Sequence, residues 1–213
     1  MDKLVSSILD FDNTLFKTRE FWRRELFPAL EKKYGFGQDI LEKVFERSTT
    51  GEVDYFIPAR FLEEMCEELS LSGDMMPALQ QYFDEIVYSQ NTHRYLYDGA
   101  EALIRRLQME NRRCLLKSYR DPTFKKRFFK ACKISALFPT GDIIVTNQPK
   151  QELFKMLPIS SGVILVNDSL PEINKLVEVF KQGKVRVRAF LFDPETLLKD
   201  EDIIPPTIIG LFL

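Results

Sequence analysis

After Tyr97-Asp98-Gly99 the chain alternates four times between helically spaced apolar residues and a short apolar run that stops at polar or charged ones. Repetition of that kind builds βα units, and hence a parallel sheet with helices on both faces. The spacing predicts helices to about Glu110, from Pro122, from about Lys150 and from Pro171, with strands over 114–117, 143–145, 163–166 and 185–192. A further apolar run, 4–9, stands apart near the start and stops at Asp10-Phe11-Asp12-Asn13-Thr14, which reads as a buried strand with carboxylates at its C-terminal end. Ligands of parallel α/β sheets sit beyond the C-terminal ends of the strands. Those ends collect Asp10 and Asp12, Ser118, Thr146-Asn147 with Lys150 just beyond, and Asn167-Asp168.

Between the first strand and this alternation lies a block with helical spacing and no clear strand, residues 16–96. Phe61, Leu62, Met65, Cys66 and Leu69 follow Pro58, and Met75, Leu79, Tyr82, Phe83 and Ile86 come next. Gly35 and Gly37 read as a helix stop, Pro28 as a kink and Ser48-Thr49-Thr50-Gly51 as a loop, for three to four helices in all. The expected domains are an α/β core of residues 1–15 plus 97–213 and a helical insertion of residues 16–96. Ile173, Leu176, Val177 and Phe180 form a core-facing stripe after Pro171, and the apolar tail 203–213 is expected to pack on the core.

Composition narrows the chemistry. With 45% apolar and 29% charged residues among 213, the chain is a folding sequence and not a disordered one. Thirty Lys and Arg against 32 Asp and Glu leave no excess charge for gripping a phosphate backbone, so nucleic-acid binding is not expected. The charge is uneven along the chain: residues 105–133 hold eleven Lys or Arg against Glu110 and Asp121, and residues 52–85 hold nine acids against Arg60. Solvated helix faces explain both better than a docking surface. No apolar run is long enough to span a membrane, and Met1-Asp2-Lys3-Leu4 does not open a signal peptide, so the expected location is cytoplasmic. Cys66, Cys114 and Cys132 have neither disulfide nor zinc spacing, and His93 is the single histidine. Catalysis by such a chain must run on carboxylates, lysine or hydroxyls. Three carboxylates at strand ends suit Mg²⁺, a hard cation that combines one or two carboxylates with water and substrate phosphate oxygens.

Four segments in order resemble the haloacid dehalogenase-like superfamily, specifically its phosphatase branch. Asp10-Phe11-Asp12-Asn13-Thr14-Leu15 is similar to its nucleophile motif, and Cys114-Leu115-Leu116-Lys117-Ser118 to its second strand with a phosphate-binding hydroxyl. Lys150-Gln151-Glu152-Leu153-Phe154 is similar to the lysine motif, and residues 163–172 to the acidic metal motif. The helical block matches in position and size the C1-type cap of that superfamily. The resemblance implies a Rossmann-like α/β core with an inserted all-helical cap, and Mg²⁺-dependent hydrolysis of a small soluble phosphate ester. In that scheme Asp10 is the nucleophile that forms an aspartyl-phosphate, and Asp12 gives and takes the proton. Ser118 and Lys150 bind the phosphoryl group, while Mg²⁺ is held by Asp10, the Asp12 main-chain carbonyl and Asp168. Thr14, Asn167 and Glu172 are supporting residues around it. Dehalogenases of the superfamily lack a carboxylate at the position of Asp12, since a halide leaves without a proton.

Several positions depart from the pattern. Aligning Pro149 and Phe154 to the frequent Lys-Pro form places Gln148 at the functional position, whereas Leu153, Phe154 and Leu157 at +3, +4 and +7 favour Lys150 as a helix start. Tyr119 follows Ser118 where a small polar residue is common, Asn167 precedes Asp168 where Gly or Asp is usual, and Glu172 stands for an Asp. The alternatives are a phosphomutase and a non-catalytic phosphate- or protein-binding module on the same fold. The sequence points to no protein partner.

Overall fold

The computed structural model describes residues 6–49, 56–70, 72–109, 113–119, 121–146, 152, 162–192 and 209–211. The chain divides into two compact units, Met1–Lys17 with Tyr95–Leu213, and Thr18–Arg94.

The first unit is built on a six-stranded sheet in the order β3-β2-β1-β4-β5-β6, with β1 Ser6–Asp10, β2 Arg113–Tyr119, β3 Ile143–Thr146, β4 Gly162–Asn167, β5 Arg186–Leu191 and β6 Ile209–Leu211. Strands β1 to β5 are parallel. β1 lies between β2 and β4 and is buried along Ser6–Leu9, which is why it reads in sequence as an unbroken run. The chain steps outward from β1 to β2 to β3, then returns to the other side of β1 for β4. That reversal opens a crevice at the C-terminal ends of β1 and β4. β6 is a difference from the expectation for the tail: it pairs antiparallel with β5, Ala189 opposite Leu211, and extends the sheet at its edge. An antiparallel neighbour needs no crossover helix, so a short apolar segment suffices to satisfy the edge.

Helices α6 Ala100–Met109, α7 Pro122–Ala131 and α8 Leu170–Gln182 belong to this unit. On one face of the sheet Ile8, Leu115, Val163, Leu165 and Ala189 meet Ile173, Leu176, Val177 and Phe180 of α8. Each of these buried side chains of Leu, Ile, Val or Phe type stabilises the fold by about 1.5–3 kcal/mol. A second cluster is aromatic: Phe11 stacks on Phe16 at 5.2 Å between ring centroids, and Phe128 and Phe129 of α7 meet Phe11 edge-on at 5.8 and 4.5 Å. The first unit reaches to Lys17 and resumes at Tyr95 because the chain pairs there: Lys17 N–H donates to Tyr95 O at 2.8 Å and Tyr97 N–H to Leu15 O at 3.0 Å.

The described residues of the second unit form helices joined by turns and loops, with no strand among them. Helix α1 Thr18–Phe21 runs through a π-helical stretch, Trp22–Leu26, into α2 Phe27–Tyr34, followed by α3 Gln38–Ser48, α4 Pro58–Glu68 and α5 Met76–Val87. Pro28 stands in the first turn of α2, directly after the π-helical stretch. It has no N–H to donate and its ring crowds the carbonyl four residues back, and the helix widens into the π-stretch just before it. Gly35, at φ +75°, closes α2 in the left-handed conformation with its N–H on Glu31 O at 2.8 Å. Trp22, Phe27, Phe56, Phe61 and Phe83 pack together inside. Part of the acidic segment is paired locally, Arg47 and Lys43 of α3 lying 2.7 and 3.3 Å from Glu68 of α4. No described helix is long and apolar enough to cross a membrane.

Candidate active site

The loop that leaves β1 is wound around one carbonyl. Phe11 O accepts the N–H groups of Thr14, Leu15 and Phe16 at 3.3, 3.0 and 3.1 Å. Asn13 turns the chain in the left-handed region at φ +53°, a conformation Asn adopts more readily than most residues. Phe11 is fully buried in the aromatic cluster, while its neighbours Asp10 and Asp12 keep partial exposure at the strand end. Phe11 therefore anchors the segment that carries both carboxylates.

Asp168 follows β4 and is tied to the same loop. Its backbone N–H donates to Thr14 Oγ1 at 3.0 Å, and Thr14 Oγ1 donates to Asp168 Oδ1 at 3.3 Å. The Thr14 side chain is buried, so these two bonds fix where Asp168 stands relative to the Asp12–Thr14 turn. Ser118, on β2 and 1% exposed, donates to Asp12 Oδ2 at 3.4 Å. The structure thus brings Asp10, Asp12, Thr14, Ser118 and Asp168 to one end of the three strands β2, β1 and β4.

Asn167 and Glu172 pair with each other. Asn167 Nδ2 donates to Glu172 Oε2 at 2.6 Å, and Asn167 Oδ1 accepts the Ser169 N–H at 2.7 Å. Ser169 in turn caps α8 by accepting the Glu172 N–H at 3.4 Å. The two departures from the superfamily pattern at these positions are therefore matched to one another, and together they hold the turn that carries Asp168. Asn147, Gln148 and Lys150 lie outside the described residues. Of Thr146 and Tyr119 the structure describes the backbone pairing, opposite each other on β3 and β2.

Two lysines stand at the site outside the roles that the four motifs imply. Lys125, on α7, places Nζ 2.5 Å from Asp12 Oδ2 and 5.4 Å from the centroid of the Phe11 ring. Lys117, on β2, is 2% exposed and stands in register with Asp10. With Asp10 and Asn167 it lines a cavity of about 10 Å³ that also touches Ile8, Leu165 and Leu176, at the lower limit for one water. A charged residue inside the apolar run 114–118 was a readable sign for Lys117. For Lys125 the sign was helix phase: it stands three and four residues before Phe128 and Phe129, on the apolar side of its helix.

The donors implied for Mg²⁺ fit a hard cation in kind: two carboxylates, Asp10 and Asp168, and a main-chain carbonyl, with the Thr14 bonds holding Asp168 beside the loop. No group of three or more His, Cys, Asp or Glu side chains among the described residues is placed to hold a metal ion. Such an ion would rest on the carbonyl and on water for its remaining oxygens, which is the habit of Mg²⁺ and not of zinc.

No protein-family model matches the chain, and no curated protein matches it in sequence. Solved structures do. A haloacid dehalogenase-like hydrolase from Burkholderia xenovorans LB400 is 16% identical, with 96% of this chain and 90% of that chain covered at a TM-score of 0.65. The HAD-hydrolase YfnB from Bacillus subtilis, solved bound to magnesium, is 18% identical over 97% and 93% of the two chains, at a TM-score of 0.59. A protein designated a beta-phosphoglucomutase from Thermotoga maritima is 15% identical over 86% and 84%, at a TM-score of 0.57. The chain has the haloacid dehalogenase-like fold, as the order of its four motifs implied.

Proposed function

We propose that this haloacid dehalogenase-like chain is a Mg²⁺-dependent phosphomonoester hydrolase that works through an aspartyl-phosphate on Asp10. One observation carries the reading: Asp10 and Asp12 from β1, Ser118 from β2 and Asp168 from β4 converge at the crevice where the strand order reverses.

In this mechanism an Asp10 carboxylate oxygen attacks phosphorus as the ester P–O bond breaks, and Asp12 delivers a proton to the departing alkoxide. Asp12, now ionised, then takes a proton from the water whose oxygen displaces Asp10 from phosphorus. Ser118 turns its hydroxyl from Asp12 to a phosphoryl oxygen, and Lys150 balances charge on the same group. Mg²⁺, held by Asp10, the Asp12 carbonyl and Asp168, would lower the repulsion between an anionic nucleophile and an anionic phosphate. Asp12 supports phosphoryl transfer over dehalogenation, since only an alkoxide needs its proton. A small soluble substrate follows from the likeness of the helical insertion to the caps of this superfamily, and the cytoplasm is the proposed location.

The test is inorganic phosphate release from p-nitrophenyl phosphate and from a panel of sugar phosphates, nucleotides and small acid phosphates, with and without Mg²⁺, for wild type and Asp10→Asn. Metal-dependent turnover that disappears in Asp10→Asn supports the reading. Turnover that persists in that variant overturns it, and a phosphoenzyme that passes its phosphoryl group only to a sugar hydroxyl redirects it to a mutase.

A further inference from the structure

We infer that Lys125 is a positioning residue of this reaction, holding the Asp12 carboxylate in place for proton transfer; the inference rests on the hydrolase reading above. Nothing in the four motifs points to Lys125, which lies on α7 between the second and third of them.

Helix phase is the first argument. On α7 the buried positions are Phe124, Lys125, Phe128 and Phe129, while Lys126, Arg127 and Lys130 are exposed. Lys125 therefore occupies a core-facing position, 7% exposed, where Leu or Met would pack without giving up the hydration of an ammonium group. The charge is met there by Asp12, whose Oδ2 lies 2.5 Å from Nζ, while the Phe11 ring face lies 5.4 Å away.

The second argument is the geometry at the acceptor. Asp12 Oδ2 takes donors from both Lys125 and Ser118, the second at 3.4 Å, and these come from different elements, α7 and β2. Before substrate enters, both donors orient this carboxylate, whose side chain is 35% exposed; once Ser118 turns to the phosphoryl group, Lys125 is the one of the two that stays on Oδ2. As the ester P–O bond breaks, the proton leaves Asp12 for the leaving oxygen while Asp10 bonds to phosphorus, and Lys125 keeps its own proton throughout.

Proton delivery matters only where the leaving group needs it, and that provides the readout. Values of kcat/KM, which report the steps through phosphoenzyme formation, would be measured for p-nitrophenyl phosphate and for the alkyl phosphate that wild type hydrolyses fastest. Lys125→Met should lose about 10²-fold on the alkyl ester, the scale of general acid catalysis, and less than about 5-fold on the aryl ester, whose phenolate leaves unprotonated. Lys125→Arg, which keeps a charged donor, should restore most of the alkyl activity. Lys125→Gln serves as the neutral polar variant if the Met protein does not fold, with the same asymmetry expected. Equal losses on both esters would mean that Lys125 binds phosphate or merely stabilises the fold, and no loss would mean that it is idle; either result overturns the proposal. Asp10→Asn is run beside them, and its retention of wild-type turnover would overturn the hydrolase reading itself.

Discussion

Thr14 and Asp168, 154 positions apart, are joined by two hydrogen bonds through one hydroxyl: Thr14 Oγ1 accepts the Asp168 N–H at 3.0 Å and donates to Asp168 Oδ1 at 3.3 Å. The acidic residue from β4 is thereby referenced to the loop that carries Asp12, and the proposed metal donors are held as a unit. Replacing Thr14 with Val keeps the shape and removes both bonds. Supporting contacts of this kind are worth about 10–100-fold in metal affinity, and Mg²⁺ titration calorimetry on Thr14→Val should show a loss in that range. Unchanged affinity would separate Thr14 from the metal site.

Asn167 is buried and holds both Glu172 and the Ser169 N–H. Asn167→Leu leaves a carboxylate and an amide without these partners, at a cost of about 1–3 kcal/mol. Urea unfolding should register that loss, and Glu172→Gln, which still offers an oxygen to Asn167 Nδ2, should lose less. A Leu variant as stable as wild type would mean that the network contributes nothing to folding.

Ser118 Oγ is 3.4 Å from Asp12 and within the crevice proposed for the phosphoryl group. Removing one preorganised donor to a reacting oxygen costs about 10²–10³ in rate. Ser118→Ala should therefore lower kcat by about 10²-fold on the aryl and alkyl esters alike, in contrast to the asymmetry expected at Lys125. Steady-state kinetics on the two esters checks this, and a loss confined to the alkyl ester would reassign Ser118 to the proton-transfer step.

Burial pushes the thiols of Cys114 and Cys132 up to about 12, with Asp142 adding to the effect at Cys114. In the unfolded chain a cysteine ionises near pH ~8.5. Above that pH the unfolded chain has released protons that the folded chain retains, so the associated stability is complete below about pH 8 and declines as pH rises. The decline is about 1.4 kcal/mol per pH unit for each thiol. Chemical unfolding between about pH 8.5 and 10.5 should show a shallower slope for the Cys114→Ala/Cys132→Ala double variant than for wild type. Identical slopes would show that these thiols do not contribute to the alkaline loss.

The sheet was legible because its signal is local. A strand buried on both faces must be apolar along its length, so the runs at β1, β2 and β4 announce themselves, and the polar residues that stop them mark the strand ends where ligands bind. That pattern puts Asp10, Asp12, Ser118 and Asp168 at strand ends, where the structure has them. The same reasoning placed the buried stripe of α8, since helix phase is written in the spacing of Ile173, Leu176, Val177 and Phe180.

What only the tertiary structure decided is which polar group meets which. Lys125 shares the helix phase of Phe128 and Phe129, but that its ammonium meets Asp12, 113 positions away, is decided only when α7 packs. Thr14 finds Asp168 across 154 positions, and the segment 209–211 finds the open edge of β5. Periodicity records whether a face is wet or dry. A hydrogen bond or ion pair depends on distance between elements set by the packing of the whole unit, and no local pattern carries it.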